Sequence, residues 1–227
     1  MAVWLITGCS SGFGKEIARA ALKHGDKVIA TSRNTSSLSD LKILGAATII
    51  LNVNGTATER NTSVCEAAKI YGTIDVLVNN AAYVLITGTE EAMYDHILPS
   101  CSKLIVYSDA EVRAQFDTNF FGPASIIRSV LPFMRAQKSG VIANIGSLGG
   151  YASNAGSGYY CATKFAIAGM TEALRAEVAP LNIKATAIEP GYFRTGFLNS
   201  EVGGKIIAAK SIEDIRSTME PVKAMID

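Results

Sequence analysis

Histidine is nearly missing from this 227-residue chain: His24 and His96 are the only two. Neither is placed to complete a Ser-His-Asp arrangement, which removes hydrolysis through an activated serine from the leading chemistries. Cysteine is scarce as well. Cys9, Cys65, Cys101 and Cys161 show neither metal-ligand spacing nor the pattern of a disulfide framework, so no metal site is expected. Cys161 reads as a small helix-packing residue despite lying beside Tyr160. Charge of one sign is also lacking: 21 Lys and Arg face 20 Asp and Glu, for a net charge of +1, with no basic run. Nothing in that balance points to nucleic acid or an anionic membrane surface. No apolar run approaches the ~20 residues of a membrane span. The start, Met1-Ala-Val-Trp-Leu-Ile-Thr-Gly8, has no basic segment and too short an apolar run for a secretory signal. A cytoplasmic location is expected. The sequons at Asn34, Asn54 and Asn61 are then chance matches. No internal repeat or low-complexity tract is visible.

What is present is an alternation of apolar runs with helical patterns, as in a parallel α/β sheet within one domain spanning residues 1–227. Strand-like runs are Val3–Thr7, Lys27–Thr31, Ala47–Val53, Val76–Asn79, Gly140–Ile145 and Ile183–Glu189. Helical patterns are Lys15–His24, Leu38–Leu44, Glu59–Tyr71, Ala110–Ala136 and Tyr160–Ala179. A doubly wound, Rossmann-type sheet of about six strands puts its ligand at the carboxyl ends of those strands, where the motifs below fall.

Tyr160 and Lys164 stand four residues apart at the opening of a helical stretch, with Ser147 thirteen residues upstream of the tyrosine. Positions i and i+4 share a helix face. An ammonium there favours phenolate, so Lys164 is expected to lower the tyrosine pKa and make Tyr160 a usable acid or base. At the amino end, Gly8-Cys-Ser-Ser-Gly12-Phe-Gly14 joins a buried strand to a helix. Such a turn aims backbone N–H groups and a helix amino terminus at a phosphate.

Taken together, these motifs make the chain resemble the short-chain dehydrogenase/reductase family, from Val3 to about Phe197. Gly8, Ser10, Ser11, Gly12, Phe13 and Gly14 match its cofactor turn. Asn79-Asn80-Ala81-Ala82 is similar to its Asn-Asn-Ala-Gly motif. Asn119, Ser147, Tyr160 and Lys164 fill its catalytic tetrad, and Pro190-Gly191-Tyr192-Phe193-Arg194-Thr195 resembles its Pro-Gly motif. Within the family the nearest branch holds retinol and 17β-hydroxysteroid dehydrogenases and many ketoreductases.

The resemblance implies an oxidoreductase moving a hydride between a nicotinamide cofactor and a carbonyl or secondary alcohol. Tyr160 would exchange the proton and Ser147 would hold the oxygen. Lys164 would bind the cofactor ribose, and Asn119 a water leading toward solvent. Pro190, Gly191, Phe193, Thr195, Asn80 and Ala81 would flank the cofactor, with Asn52 and Val53 near the adenine. Ser147, Leu148, Tyr160 and Tyr192 are the nearest substrate candidates, with Gly149, Gly150, Tyr151, Asn154, Phe197 and Leu198 lining or covering the cleft; core packing explains some of these equally well. An apolar, cyclic or aromatic small-molecule substrate is expected. The rivals are a non-redox use of the site, as in an epimerase or dehydratase, and a non-catalytic NADP(H)-binding protein. Tyr159, lacking the spacing to Lys164, reads as core or cleft packing.

The second strand ends Ala30-Thr-Ser32-Arg33 with no acid to bind a ribose 2′-hydroxyl. Arg33 offers a fork of donors suited to a 2′-phosphate and Ser32 a hydroxyl, so NADP(H) is expected over NAD(H). Two departures stand out: Asn52 where relatives carry Asp, and Ala82 for glycine, costly if that position needs positive φ. Residues 1–82 form the cofactor half and 110–195 the catalytic half. Between them Met93–Tyr107 reads as an insertion of roughly fifteen residues. It is either a lid or partner contact, or an addition the fold tolerates. After Thr195, helical stretches are expected over Gly203–Ala209 and Ile212–Ile226, covering the cleft, with no seventh strand. A homodimer is the candidate assembly.

Overall fold

The computed structural model describes residues 1–89, 94–97, 105–107, 110–193, 195–198, 205–207 and 217–221. Six strands form one parallel sheet: β1 (Val3–Ile6), β2 (Lys27–Ser32), β3 (Ala47–Ile50), β4 (Val76–Asn79), β8 (Gly140–Ile145) and β9 (Ile183–Ile188). Their order is β3-β2-β1-β4-β8-β9, so the winding reverses between β1 and β4. That reversal opens a crevice at the carboxyl ends of the strands.

The middle strands β1, β2, β4 and β8 are buried on both faces because their residues alternate between two apolar layers. Leu5, Ile29, Leu77 and Ile142 pack on one face, with Val64 and Ala67 of α3 (Ala57–Tyr71), Ile126 and Val130 of α5 (Gly122–Gln137) and Leu174 and Val178 of α6 (Gly158–Val178). Ile6, Val28, Ala30, Val78 and Ala143 face the other way. They meet Ala18 and Ala21 of α1 (Gly12–Lys23) and Leu41 of the short α2 (Ser39–Ile43). Leu77 is fully buried, and truncating it to alanine costs about 2–5 kcal/mol.

Near the crevice the core turns polar. Asn79 and Asn144 lie opposite each other on β4 and β8. The Asn79 amide donates to Asn144 at 2.8 Å, and Asn144 donates to Thr171 at 2.9 Å. Three side chains on two strands and a helix are thereby fixed in register.

All six predicted strands are present, and each of the five helical patterns between Lys15 and Ala179 has a counterpart. The stretch Ala110–Ala136 is more than one regular helix. It begins as α4 (Ala110–Phe116), widens into a π-turn over Asp117–Phe121, and resumes as α5 through Pro132. Three shorter strands went unforeseen: β5 (Val84–Ile86), and β6 (Tyr94–Ile97) paired antiparallel with β7 (Ile105–Tyr107) inside the insertion.

The helical expectation for Gly203–Ala209 is overturned, because Lys205–Ile207 forms strand β10, parallel to β5. Its pairing partner lies more than a hundred residues earlier, which local periodicity cannot report. Residues 217–221 are helical, inside the predicted Ile212–Ile226 stretch; the remainder of that stretch lies outside the described residues. Arg194 does too, as does the rest of Met93–Tyr107.

Candidate functional site

At the mouth of the crevice the Gly8–Gly14 turn is held from below. Thr7 Oγ1 accepts the N–H groups of Asn80 and Ala81 at 2.9 and 3.1 Å. Asn80 Nδ2 donates to the carbonyls of Thr7 and Gly8 at 2.9 and 3.0 Å. Gly8 has a φ of 69°, and a Cβ there would lie 2.9 Å from Ala81 Cα. A Cβ at Gly14 would fall inside contact distance of both Asn80 Nδ2 and the Gly8 carbonyl. The two glycines therefore let β1, α1 and the Asn80 segment approach closely. Helix α1 starts on this turn with no side-chain cap and no acid in its first turn. Its N–H groups and positive dipole end are left for an anion. Ser10 and Ser11 are exposed there.

At the end of β2, Arg33 is exposed and engages no hydrogen bond or ion pair among the described residues. Ser32 differs from its sequence expectation. The residue is 7% exposed, and its hydroxyl donates to the Asn34 carbonyl at 2.5 Å and receives the Asn34 N–H at 3.1 Å. It shapes the turn that presents Arg33 rather than facing a ligand. Asn52 likewise uses its side-chain oxygen locally, accepting the Asn54 N–H at 3.1 Å, and Val53 beside it is buried. Ala82 takes no positive φ, so its methyl carries none of the backbone strain allowed for above.

Ser147, Tyr160 and Lys164 converge. Ser147 follows β8 and caps a short 3-10 turn, accepting the Gly149 N–H at 3.1 Å. Its hydroxyl lies near enough to the Tyr160 phenol to draw the phenol's pKa down. Gly149 makes this fit possible: a Cβ there would sit 3.1 Å from Cys161 Sγ and 3.4 Å from Tyr160 Cε1. Cys161 is buried and packs as expected. Lys164, one turn along α6, is 3% exposed and donates to the Ile145 carbonyl at 2.7 Å. Its Nζ lies 5.7 Å from the centre of the Tyr160 ring.

The electrostatics reverse one expectation. Burial raises the Tyr160 pKa above its ordinary 10.0, and the neighbouring Ser147 hydroxyl pulls it back only in part. Lys164 is not what tunes the phenol. Its ammonium is turned to a backbone carbonyl, and burial lowers its own pKa to about 8. Removing both groups from water outweighs their mutual influence.

Asn119 sits in the π-turn, buried, and its side chain is occupied. It receives the Tyr83 N–H at 3.1 Å and donates to the Tyr83 carbonyl at 2.9 Å and to Thr163 Oγ1 at 3.1 Å. Thr163 in turn donates to the Tyr160 carbonyl at 2.6 Å. The side chain is thus a brace between α6 and the segment after β4, with little capacity left for a water. The helical pattern gave no sign of the extra residue that makes this π-turn.

Residues 190–193 and 195–198 reach both the glycine turn and Tyr160. Phe193 meets Phe13 of the glycine turn edge-to-face at 5.4 Å, and the ring of Phe197 lies 6.1 Å from that of Tyr160. Thr195 Oγ1 accepts the Phe197 N–H at 3.2 Å. Leu148 packs near Gly191, 48% exposed, while Tyr192 is 92% exposed and stands clear of the cleft wall. Pro190 is half-buried. The Glu189 carboxylate beside Tyr151 holds its phenol above the ordinary range.

A parallel sheet reversing at a glycine turn, with a serine, a tyrosine and a lysine gathered beside it, defines a nucleotide-binding oxidoreductase of the doubly wound class. The model of that class described as short chain dehydrogenase matches residues 2–205, and the chain belongs to that family. It is similar to a 3-ketodihydrosphingosine reductase of Bacteroides thetaiotaomicron, 36% identical over 196 residues, covering 86% of this chain and 65% of the relative. An oxidoreductase of Passalora fulva, claN, is 37% identical over 86% of this chain and 83% of its own length. Among solved structures, a short-chain dehydrogenase from Streptomyces avermitilis superposes with a TM-score of 0.86 at 36% identity, over 100% of this chain and 79% of the other. More distant structural relatives hold NADP+ in one case and NADH in another. Among the described residues no helix is long and apolar enough to cross a membrane.

Proposed function

We propose that this chain reduces the carbonyl of a small apolar substrate with NADPH, Tyr160 delivering the proton. The observation that carries this reading is the Tyr160 phenol, gathered with Ser147 and Lys164 at the carboxyl edge of the sheet beside a glycine turn shaped for a dinucleotide. The residues fit that cofactor: the Gly8–Gly14 turn and the acid-free start of α1 would take its pyrophosphate. Lys164 would take the nicotinamide ribose. Arg33, with no acid beside it at the end of β2, favours a 2′-phosphate. When bound, the nicotinamide supplies the hydride.

The chain's own residues do the rest. Ser147 donates to the substrate oxygen and fixes it against Tyr160. The phenol, kept protonated by its raised pKa, gives its proton to that oxygen as negative charge develops. A raised pKa suits this direction, because alcohol oxidation needs the phenolate. Asn119 acts through Tyr83 and Thr163, holding the wall and the helix on which Tyr160 rides. Phe197 beside Tyr160 and Leu148 near Gly191 give the cleft its apolar character.

The test follows NADPH absorbance against a panel of cyclic, aromatic and linear ketones, with Tyr160→Phe as control. Turnover by the wild type, lost in Tyr160→Phe while NADPH binding persists, is the expected result. Tight NADPH binding without turnover on any ketone overturns the reading.

A further inference from the structure

The segment after β4 is fastened at both ends, and its second fastening lies on the catalytic helix. At the first end Tyr83 is gripped through its backbone. Asn119 bonds both its N–H and its carbonyl, and Gln115 Nε2 donates to the same carbonyl at 3.3 Å. Next comes β5, whose Val84, Leu85 and Ile86 are all buried. At the second end two hydrogen bonds meet the start of α6. The Thr87 N–H donates to the Gly156 carbonyl at 2.9 Å. The Tyr159 hydroxyl donates to the Thr89 carbonyl at 2.9 Å. A Cβ on Gly158 would come within 3.8 Å of Thr89 Oγ1. Gly156 takes a φ of 78°, which lets the chain turn its carbonyl toward Thr87.

We propose that Tyr159 is a positioning residue for specificity: its hydroxyl clasps residues 84–89 to the amino end of α6 and so sets how that segment lies against the helix that carries Tyr160. The proposal rests on the reductase reading above for its link to substrate. The two adjacent tyrosines divide the work. Tyr160 meets Ser147, while Tyr159 points to the opposite partner, a backbone carbonyl on the segment that leads into the 93–107 insertion. Strand β5 also carries β10, so a loosened clasp frees a two-strand ribbon rather than one loop. The strand it holds down, Val84, Leu85 and Ile86, is uncharged and apolar. A firm clasp therefore favours apolar ketones that fill the pocket, and a loose one lowers their affinity without touching the proton donor.

The experiment compares Tyr159→Phe with the wild type and Tyr160→Phe by amide hydrogen exchange at Thr87 and by steady-state kinetics. Losing one hydrogen bond is expected to speed Thr87 exchange about five-fold and to raise KM for the bulkiest accepted ketone by a similar factor, with kcat held within about two-fold. Affinity for NADPH is expected to stay unchanged. Unaltered exchange at Thr87, or a fall in kcat at constant KM, overturns the proposal. Tyr159→Leu separates ring from hydroxyl: a KM effect seen only in that variant assigns the role to packing and also overturns it. Failure of the reductase reading shows up as a wild type that turns over no ketone, and exchange at Thr87 then decides the clasp by itself.

Discussion

Lys164 offers the sharpest quantitative test of the site, because burial rather than an opposite charge sets its state. Its pKa falls from 10.5 to about 8 in the folded protein. Between those values the unfolded chain binds a proton that the folded chain does not, so stability rises with pH across that window. Near pH 7 both states carry the proton, and keeping it in the fold costs on the order of 3 kcal/mol. Near pH 10 the folded lysine is neutral and the unfolded one only partly charged, leaving a cost of about 1 kcal/mol. The group therefore contributes a rise of about 2.5 kcal/mol between those conditions. Lys164→Met removes the titration. It also strips the Ile145 carbonyl of its donor, a cost that does not change with pH. The readout is therefore the shape of a difference curve. Urea unfolding of both proteins at a series of pH values should show wild type gaining on Lys164→Met as pH rises above about 8. A flat difference would refute the depressed lysine and with it the claim that burial dominates this site.

The glycine turn makes a paired prediction. Gly14→Ala, whose methyl meets Asn80 and the Gly8 carbonyl, should lower NADPH affinity at least ten-fold in a fluorescence titration, by roughly 1.4 kcal/mol or more. Gly12→Ala has open space but a φ of 55°, and should cost only about 1 kcal/mol in folding stability. Arg33→Glu should reverse the preference between NADPH and NADH in kcat/KM; an unchanged preference would dismiss Arg33 as the 2′-phosphate ligand. Ser147→Ala removes the hydroxyl that pulls the Tyr160 pKa down. Reduction needs the protonated phenol, so in the residual activity of that variant the alkaline fall of kcat/KM should move to higher pH.

Much of this site could be read from the sequence, and the parts that could not share a physical reason. The six strands carry strong apolar runs, and β1, β2, β4 and β8 are buried on both faces, so their residues alone mark them. The glycine turn is legible because its φ values and close approaches admit little else at Gly8 and Gly14. Strands β5 and β10 are three residues each and exist only through each other. Neither has a local signal strong enough to outweigh a helical pattern. The π-turn adds one residue to a helix without changing which residues are apolar. The Ser32 hydroxyl looked free because its acceptor, the Asn34 carbonyl, belongs to a turn whose shape follows from the fold.

The Tyr160 and Lys164 pair carries this reasoning furthest. Four-residue spacing places two side chains on one helix face, and in water that would let an ammonium tune a phenol. Here the same helix face is packed against β8, and packing does two things at once. It turns the ammonium to the Ile145 carbonyl, and it withdraws both groups from solvent. Desolvation then acts on each charged form separately, lifting the tyrosine and lowering the lysine. The spacing identifies the partners, while burial decides their protonation. A protonated phenol beside Ser147 is poised to give a proton to a substrate oxygen, and a lysine with a pKa of about 8 is a donor whose charged form gains from the hydrogen bonds that ribose oxygens accept. Binding of NADPH should accordingly take up part of a proton from solution near pH 8, and titration calorimetry in buffers of different ionisation enthalpy would register it.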